Sequence, residues 1–351
     1  MAVAQRDTAS RTGPPDAPRI AAANIGLKSI FPKSCETQQS ATTPTLIEWQ
    51  HLVETGRKLH ITTEAAPPGV LVPSHRGIDS TRMLLSIDGR RPSMLLKTIH
   101  ADQLQFFDAA AAFDAQAKAA ALGACPALLA SDVDCATSVV EYLDGWRTAR
   151  VSDLKRPDLL NTVLSVKRSI HSGERFNTSW TVFDRIRMLN ARHGMLQCDH
   201  PAGLPAMFKQ MQRIEGIINA AGVDTVPAHA DGLASNILIG PDARVQLVDF
   251  DEARNVDPHY ELGILLNEIY DNENDALAAL EMFEGSARRD TFHRARLYAV
   301  ADDFAWALWG LFMDATSPRK DVEFWRYASM RLIRCRIALE ATDFDRCKKL
   351  I

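Results

Sequence analysis

The sequence predicts an α+β fold of two lobes, with a small strand-rich N-terminal lobe and a larger, mainly helical C-terminal lobe. Two short alternating apolar runs, at residues 83–87 and 94–99, flank the turn dipeptide Asp88-Gly89 and are typical of a β-hairpin. From about Ser152 the pattern changes to helical periodicity, which continues almost to the C-terminus. Because small ligands often bind in clefts between lobes, this arrangement predicts a ligand site there.

Three parts follow one another along the 351 residues. Residues 1–44 are rich in Ser, Thr, Pro and Gln and show no sustained periodicity, which predicts a disordered tail. Residues 45–144 contain most of the strand signals, and residues 145–351 contain most of the helix signals. We therefore expect a tail and two lobes.

The N-terminal lobe is expected to contain both helices and strands. Apolar residues at helical spacing predict a helix over residues 46–53, before the hairpin. An Ala-rich segment predicts a longer helix over about residues 103–122, ending at Gly123. Residues 137–143, TSVVEYL, predict the next strand.

The C-terminal lobe contains predicted helices interrupted by two short strands. The helices are expected over residues 159–170, 182–192 and 206–221, and again after Glu261. Apolar runs at residues 237–239 and 245–248 are joined by a Gly-Pro-Asp-Ala turn and predict the two strands.

Composition excludes several classes of partner. The 40 Lys and Arg residues nearly balance the 44 Asp and Glu residues, for a net charge of -4, which argues against a nucleic-acid partner. No apolar run approaches the roughly 18 residues of a membrane span, and the N-terminus lacks the apolar core of a secretory signal. The six cysteines show no metal-binding spacing. We expect a cytoplasmic protein with no membrane partner, and the sequence does not define an oligomeric state.

Polar residues gather around the two short C-terminal strands. Asp231 and Asn236 precede the first strand, in the pattern His229-x-Asp231-x-x-x-x-Asn236, and Asp249 follows the second. The predicted hairpin separates one carboxylate from a second carboxylate and an amide, and oxygens of these two types suit Mg²⁺. A separate carboxylate can orient an attacking hydroxyl and accept its proton. Each residue alone is more typical of a cap or a loop hydrogen bond, but the joint spacing favours phosphoryl transfer.

These motifs resemble the catalytic and metal-binding loops of the protein-kinase-like fold. The pattern is similar to its small-molecule branch, the choline/ethanolamine kinase and aminoglycoside phosphotransferase families, in which the protein-kinase Arg is absent. The resemblance implies that Asp231 is the catalytic base, that Asn236 and Asp249 hold Mg²⁺, and that ATP is the phosphoryl donor. It also implies a nucleotide-binding lobe at residues 45–144 and a catalytic and substrate-binding lobe at residues 145–351.

The same resemblance implies roles in the N-terminal lobe. Lys97 stands at the end of a predicted strand, where kinase-like folds place the lysine that neutralises phosphate charge. Asp114 is the nearest candidate for its acidic partner, in place of the usual Glu. Ser80, in a loop with a single glycine, is expected to contact phosphate, and Glu141 and Leu143 belong to the expected hinge beside the adenine.

Two tryptophans point to the acceptor. Trp306 and Trp309 lie three residues apart on a predicted helix and therefore on one side of it. Indole faces attract quaternary ammonium groups, although aromatic stripes at this spacing also occur in cores. Choline kinases carry a similar pair, and the resemblance adds Glu268 and Tyr270 as substrate-binding candidates.

Together these signals predict an ATP- and Mg²⁺-dependent kinase that phosphorylates a small cationic alcohol, choline or a choline-like amino alcohol. An aminoglycoside or other sugar-hydroxyl phosphotransferase is the first alternative, and the acidic segment at residues 271–275 could bind such a polycation. A non-catalytic nucleotide-binding module is the second, suggested by the glycine-poor loop at residues 74–80. The expected partner is a small-molecule alcohol.

Overall fold

A computed structural model describes residues 47–48, 60–66, 79–87, 89–196, 201–270, 273–286 and 288–351. The predicted tail and most of the glycine-poor loop lie outside these residues. Ile47–Glu48 forms a strand that pairs with His60 and Ile61, so the helix predicted over residues 46–53 is wrong at these two positions. The rest of that predicted helix is outside the described residues.

The N-terminal lobe is built on a six-stranded antiparallel sheet with the order β1-β2-β3-β4-β6-β5. Its strands are β1 (Ile47–Glu48), β2 (His60–Ala65), β3 (Ser80–Ile87), β4 (Met94–Ile99), β5 (Leu128–Asp132) and β6 (Thr137–Glu141). β3 and β4 pair as the predicted hairpin, with Leu84 opposite Leu95. Sequence patterns missed β2 because HITTEA contains few apolar residues, and they missed β5 because the apolar residues of LLASD do not alternate with polar ones.

The helix α1 (Ala109–Ala121) begins later than predicted. The side chain of Asp108 accepts a hydrogen bond from the Ala111 amide at 3.0 Å and so caps the helix start. Leu104–Phe106 forms a separate 3-10 turn instead of the first helical turn. The small residues Ala115 and Ala119 are fully buried in the same cluster as Phe250 of the C-terminal lobe, so α1 packs closely beside the segment that follows Asp249.

The C-terminal lobe is mainly helical and contains two small sheets. Its elements are β7 (Arg147–Thr148), α2 (Val151–Leu154), α3 (Pro157–His171), α4 (Val182–His193), α5 (Leu204–Ala220), β8 (Val226–Ala228), β9 (Ile237–Ile239), β10 (Val245–Leu247), β11 (Arg254–Val256), α6 (Pro258–Ile269), α7 (Glu273–Glu284), α8 (Arg289–Thr316), α9 (Phe324–Glu340) and α10 (Phe344–Leu350). The sheets have the orders β10-β9-β7 and β11-β8. The predicted helices and the predicted β9–β10 hairpin are confirmed, and so is the α+β class with its two unequal lobes.

Helix α8 is the central helix of the C-terminal lobe and packs against α4, α6 and α9. The crossing of α6 and α8 is very close, because a Cβ atom added at Gly263 would lie 2.2 Å from the carbonyl oxygen of Ala295. Only glycine fits there without moving one backbone. Among the helices of the described residues, none is long and apolar enough to cross a membrane.

Candidate active site

A cavity of about 370 Å³ lies between the two lobes. One end of the cavity is an apolar slot beside the segment after β6 of the N-terminal lobe. The other end is lined by aromatic and charged residues of the C-terminal lobe. The slot is lined by Leu95, Ile99, Val140, Leu238 and Val248, together with Glu141, Tyr142 and Leu143. Its size and mixed lining are typical of a small-ligand site.

Asp231 and Asn236 both line this cavity and contact each other. The Asn236 side-chain amide donates a hydrogen bond to Asp231 Oδ2 at 2.7 Å. Between His229 and Asp231 the backbone turns sharply, with Ala230 at φ 59°, in the left-handed region that costs a non-glycine residue about 1 kcal/mol or more. The surrounding structure must therefore hold the loop that carries Asp231.

Glu261 of α6 binds the backbone of this loop through hydrogen bonds. Its Oε1 accepts hydrogen bonds from the Ala230 amide at 3.2 Å and from Lys167 Nζ at 2.9 Å. Its Oε2 lies 2.7 Å from His171 Nε2, and the side chain is only 1% exposed. Burial favours the neutral acid, but Lys167 and His171 outweigh it and lower the pKa of Glu261, so the anchor is charged. Local spacing could not reveal this group, because Lys167 and Glu261 lie 94 residues apart.

His229 connects the same loop to the end of β10. Its Nε2 lies 2.8 Å from the carbonyl oxygen of Val248, which can only accept, and so Nε2 carries the proton. Its Nδ1 accepts a hydrogen bond from the Asp231 amide at 3.3 Å. Burial and the nearby charge of Lys167 lower the pKa of His229 and keep the ring neutral. His229 therefore has a structural role.

Lys97 of β4 reaches across the cleft to the segment after β10. Its Nζ lies 2.6 Å from Asp249 Oδ1 and 2.7 Å from Asp251 Oδ1. Burial opposes the positive charge, but Asp249, Asp251 and Asp79 outweigh it and raise the pKa of Lys97. Asp249 itself is in the left-handed region at φ 72°. The structure thus brings Lys97 and Asp249 together across the lobes.

The residues present fit a divalent cation. Carboxylate oxygens of Asp79, Asp249 and Asp251 lie within 4.8 Å of one another, and Asn236 lines the same cavity. Oxygen ligands of this kind suit Mg²⁺. The sequence motif Asp249-Phe250-Asp251 contains Asp251, but the sequence alone predicts no metal-binding role for it. Asp79 directly precedes β3 and belongs to no motif, so the sequence did not predict it as a metal ligand either.

Two predicted phosphate-side residues have other contacts. Asp114 pairs with Lys118 on the same helix at 2.9 Å, and its predicted contact with Lys97 does not occur, because Asp249 and Asp251 bind that lysine instead. Ser80 is buried and donates a hydrogen bond to Asp79 Oδ1 at 2.9 Å. Of these neighbours, Asp79 and not Ser80 lines the cavity.

The predicted hinge residues Glu141 and Leu143 both line the slot. The amide of Glu141 donates to the Ala127 carbonyl at 2.9 Å, and the amide of Tyr142 donates to the Ser93 carbonyl at 2.9 Å. These two hinge amides already donate hydrogen bonds within the protein, so they are not available to bind adenine.

At the other end of the cavity, Trp306 and Trp309 make an edge-to-face contact with centroids 5.4 Å apart. Trp309 is only 6% exposed and also packs edge-on against Phe324 and Tyr327, so most of its surface belongs to the core. Trp306 is more open. Trp309 therefore packs mainly in the core, whereas Trp306 lies at the cavity wall, and their contact with a ligand stays a prediction.

Glu268 and Tyr270 are not among the described residues that line the cavity. Glu268 accepts a hydrogen bond from the Ala234 amide at 2.6 Å, which places it behind the loop that carries Asn236. Burial raises the pKa of Glu268. Tyr270 packs against the apolar cluster around α3 and α7. These positions do not support the predicted contact of Glu268 and Tyr270 with substrate.

Arg185 and Arg331 line the aromatic end of the cavity and were not anticipated. The guanidinium of Arg185 lies 4.8 Å from the centroid of the Trp306 ring and forms an ion pair with Glu252. Arg331 donates to Asp303 Oδ1 at 2.7 Å. No sequence motif marks these residues, since they lie on α4 and α9, far apart along the chain.

A family model described as the phosphotransferase enzyme family, APH, matches residues 71–299. The match covers more than half of the chain and includes Asp231, Asn236 and Asp249. The chain belongs to this phosphotransferase family. The predicted small-molecule kinase is confirmed, although the match ends before Trp306. No curated protein sequence matches the chain.

Solved structures share the fold of this phosphotransferase. A choline/ethanolamine kinase family protein from Mesorhizobium loti is 23% identical, with a TM-score of 0.68, over 82% of this chain and 92% of that chain. The choline kinase LicA from Streptococcus pneumoniae is 17% identical, with a TM-score of 0.66, over 80% and 94%. Aminoglycoside 2'-phosphotransferase-IIIa is 14% identical, with a TM-score of 0.52, over 79% and 92%. These likenesses confirm the protein-kinase-like fold.

Proposed function

We propose that this phosphotransferase uses ATP and Mg²⁺ to phosphorylate the hydroxyl of a small cationic alcohol, choline or a choline-like amino alcohol. The observation that carries the proposal is the convergence of Asp231, Asn236 and Asp249, with Lys97 bound to Asp249, at one interlobe cavity. Residues 45–144 would form the nucleotide-binding lobe and residues 145–351 the catalytic lobe of a cytoplasmic enzyme.

Each residue has a definite task in the proposed transfer. The acceptor hydroxyl oxygen bonds to the γ-phosphorus, the bond from that phosphorus to the β–γ bridging oxygen breaks, and ADP departs with the bonding electrons. The hydroxyl proton passes to Asp231. Lys97 neutralises phosphate charge, while Asn236 and Asp249 would hold Mg²⁺, which supplies further charge neutralisation when bound. Alignment and charge neutralisation account for most of the rate in such reactions.

A cationic acceptor is supported by the charges near the base. Burial and the carboxylates of Asp249, Glu252 and Asp302 raise the pKa of Asp231 to about 8, against the opposing effect of Arg331. The same negative field favours a cation nearby, and a bound cation would restore the ionised carboxylate that a base requires. Of the described residues in the acidic segment 271–275, none lines the cavity, so these residues do not support an aminoglycoside acceptor.

The test is ATP consumption by the full chain with Mg²⁺ against choline, 2-aminoethanol, aminoglycosides, thiamine and homoserine. Phosphorylation of an amino alcohol is the expected result. Stimulation by an aminoglycoside alone would contradict the proposed acceptor. Tight Mg-ATP binding with no turnover across the panel would favour the non-catalytic nucleotide-binding alternative instead.

A further inference from the structure

The guanidinium group of Arg185 lies against the aromatic wall of the cavity. The Arg185 guanidinium lies 4.6 Å from the ring centroid of Trp180 and 4.8 Å from that of Trp306. Arg254 lies on Trp180 as well, at 3.6 Å, so guanidinium and indole groups alternate in one stack. Glu252 forms ion pairs with both Arg185 and Arg254. One face of the Trp306 ring is thus covered by a charged side chain of the protein itself.

We infer that Arg185 is a specificity-determining residue that excludes quaternary ammonium groups from Trp306 and selects acceptors whose ammonium group retains N–H donors. This inference rests on the proposed function and narrows its acceptor to a primary amino alcohol.

The physical basis is the difference between two kinds of ammonium group. A trimethylammonium group has no N–H donor, so its recognition depends on free aromatic faces. Arg185 both covers such a face and places a like charge beside it. A primary ammonium group can instead donate hydrogen bonds to carboxylates, and Asp231 and Glu252 both line the cavity. The site therefore offers hydrogen-bond acceptors in place of a free cage.

Arg185 is firmly held in this position. It is only 8% exposed, it lies between two rings, and its partner Glu252 is itself fixed by Arg254 Nη1 at 3.0 Å. Glu252 belongs to the same 3-10 turn as Asp251, directly after Asp249. The turn that follows Asp249, a proposed metal ligand, therefore also carries the ion-pair partner of Arg185.

The first test uses the unmodified protein. Its kcat/KM is measured for 2-aminoethanol and for choline, the N-trimethyl analogue, and tetramethylammonium is tested as an inhibitor. We expect kcat/KM to be at least about tenfold higher for 2-aminoethanol, the size of one cation–aromatic contact. Tetramethylammonium is expected to have no effect.

The second test replaces Arg185 by methionine, which keeps an apolar side chain between the rings. The R185M variant should lower the preference for 2-aminoethanol over choline by about tenfold and acquire competitive inhibition by tetramethylammonium. Its KM for ATP should not change. R187M is the matched control, because Arg187 lies on the same helix but is exposed and pairs with Glu215 and Asp184.

The outcomes separate this inference from the proposed function. Wild-type preference for choline, with inhibition by tetramethylammonium, would overturn the inference while leaving an amino-alcohol kinase intact. A folded R185M variant with an unchanged preference would also overturn it. Turnover of neither amine, with ATP still bound, would overturn the proposed function and the inference together.

Discussion

The two ends of the interlobe cavity are built differently. At the end proposed to bind phosphate, Lys97 forms direct ion pairs with Asp249 and Asp251. Lys97 belongs to strand β4, and the two aspartates belong to the tight turn after β10. At the acceptor end, Arg185 and Trp306 are placed by α4 and α8, two long packed helices. On the proposed roles, phosphate binding would thus depend on short segments of fixed spacing, whereas acceptor choice would depend on helix packing. Substitutions at the two ends should therefore change different kinetic constants.

The largest effect is expected at the base. The D231N variant should lose about a thousandfold in kcat, because a positioned base contributes up to roughly that much. Its dissociation constant for ATP, measured by calorimetry, should remain close to wild type. The control is D242N, at an exposed position in the β9–β10 turn. Full activity in D231N would remove the assignment of the base.

The second effect tests the phosphate end itself. The K97M variant should lower kcat/KM for ATP by about a hundredfold, the size of one lost charged donor to a developing oxyanion. The ratio of kcat/KM values for two acceptors should stay constant, because Lys97 does not line the acceptor end. K118M, at a lysine of α1 bound to Asp114 and Glu174, is the control. A changed acceptor ratio in K97M would contradict the separation of the two ends.

A smaller effect is expected at the support that both ends share. The E261Q variant should reduce kcat about tenfold through a misplaced Asp231, with little change in KM for the acceptor. It should also lower the free energy of unfolding, because Lys167 is left buried without its carboxylate. Adding K167M should recover stability but not kcat, as judged by urea unfolding and steady-state rates. Recovery of both would show that Glu261 acts through stability alone.

The smallest effect on activity is expected at His259, which lies away from both ends and affects stability alone. Burial opposes charge on His259, but hydrogen bonds with Asp257 and Glu284 outweigh it and raise its pKa from 6.5 to about 9. The stabilisation is complete below pH 6.5 and decreases as pH rises through about 9, because the raised pKa belongs to the folded state. Between about pH 6 and pH 10, wild type should lose about 3 kcal/mol of unfolding free energy relative to H259Q. Parallel pH profiles for the two proteins would contradict this.

Sequence patterns predicted the two ends to different extents. The β3–β4 hairpin, the β9–β10 hairpin and the spacing of Asp231, Asn236 and Asp249 are local features, and turn chemistry and alternation record them directly. The contacts of Arg185 with Trp306 and of Lys167 with Glu261 join residues about a hundred positions apart. Such pairs depend on how the helices pack, which single-sequence periodicity does not record.

The failures among the proposed site residues have the same origin. Asp114 forms an ion pair with Lys118, one helical turn away, and not with Lys97, which lies on another element. Glu268 faces the back of the loop that carries Asn236, because helix α6 presents that side to Ala234. In both cases the residue type was suitable, and the geometry of its element decided the outcome.

The close approach at Gly263 has a consequence for the spacing of the candidate site. Helix α6 carries Glu261, which holds the loop of Asp231, and α8 carries Trp306, which lines the cavity. Contact between their backbones at Gly263 and Ala295 sets the separation of the two helices to its minimum. Any larger residue at position 263 would force one of the two backbones to move. A single glycine that does not line the cavity thus sets the spacing between the helix that supports Asp231 and the helix that carries Trp306.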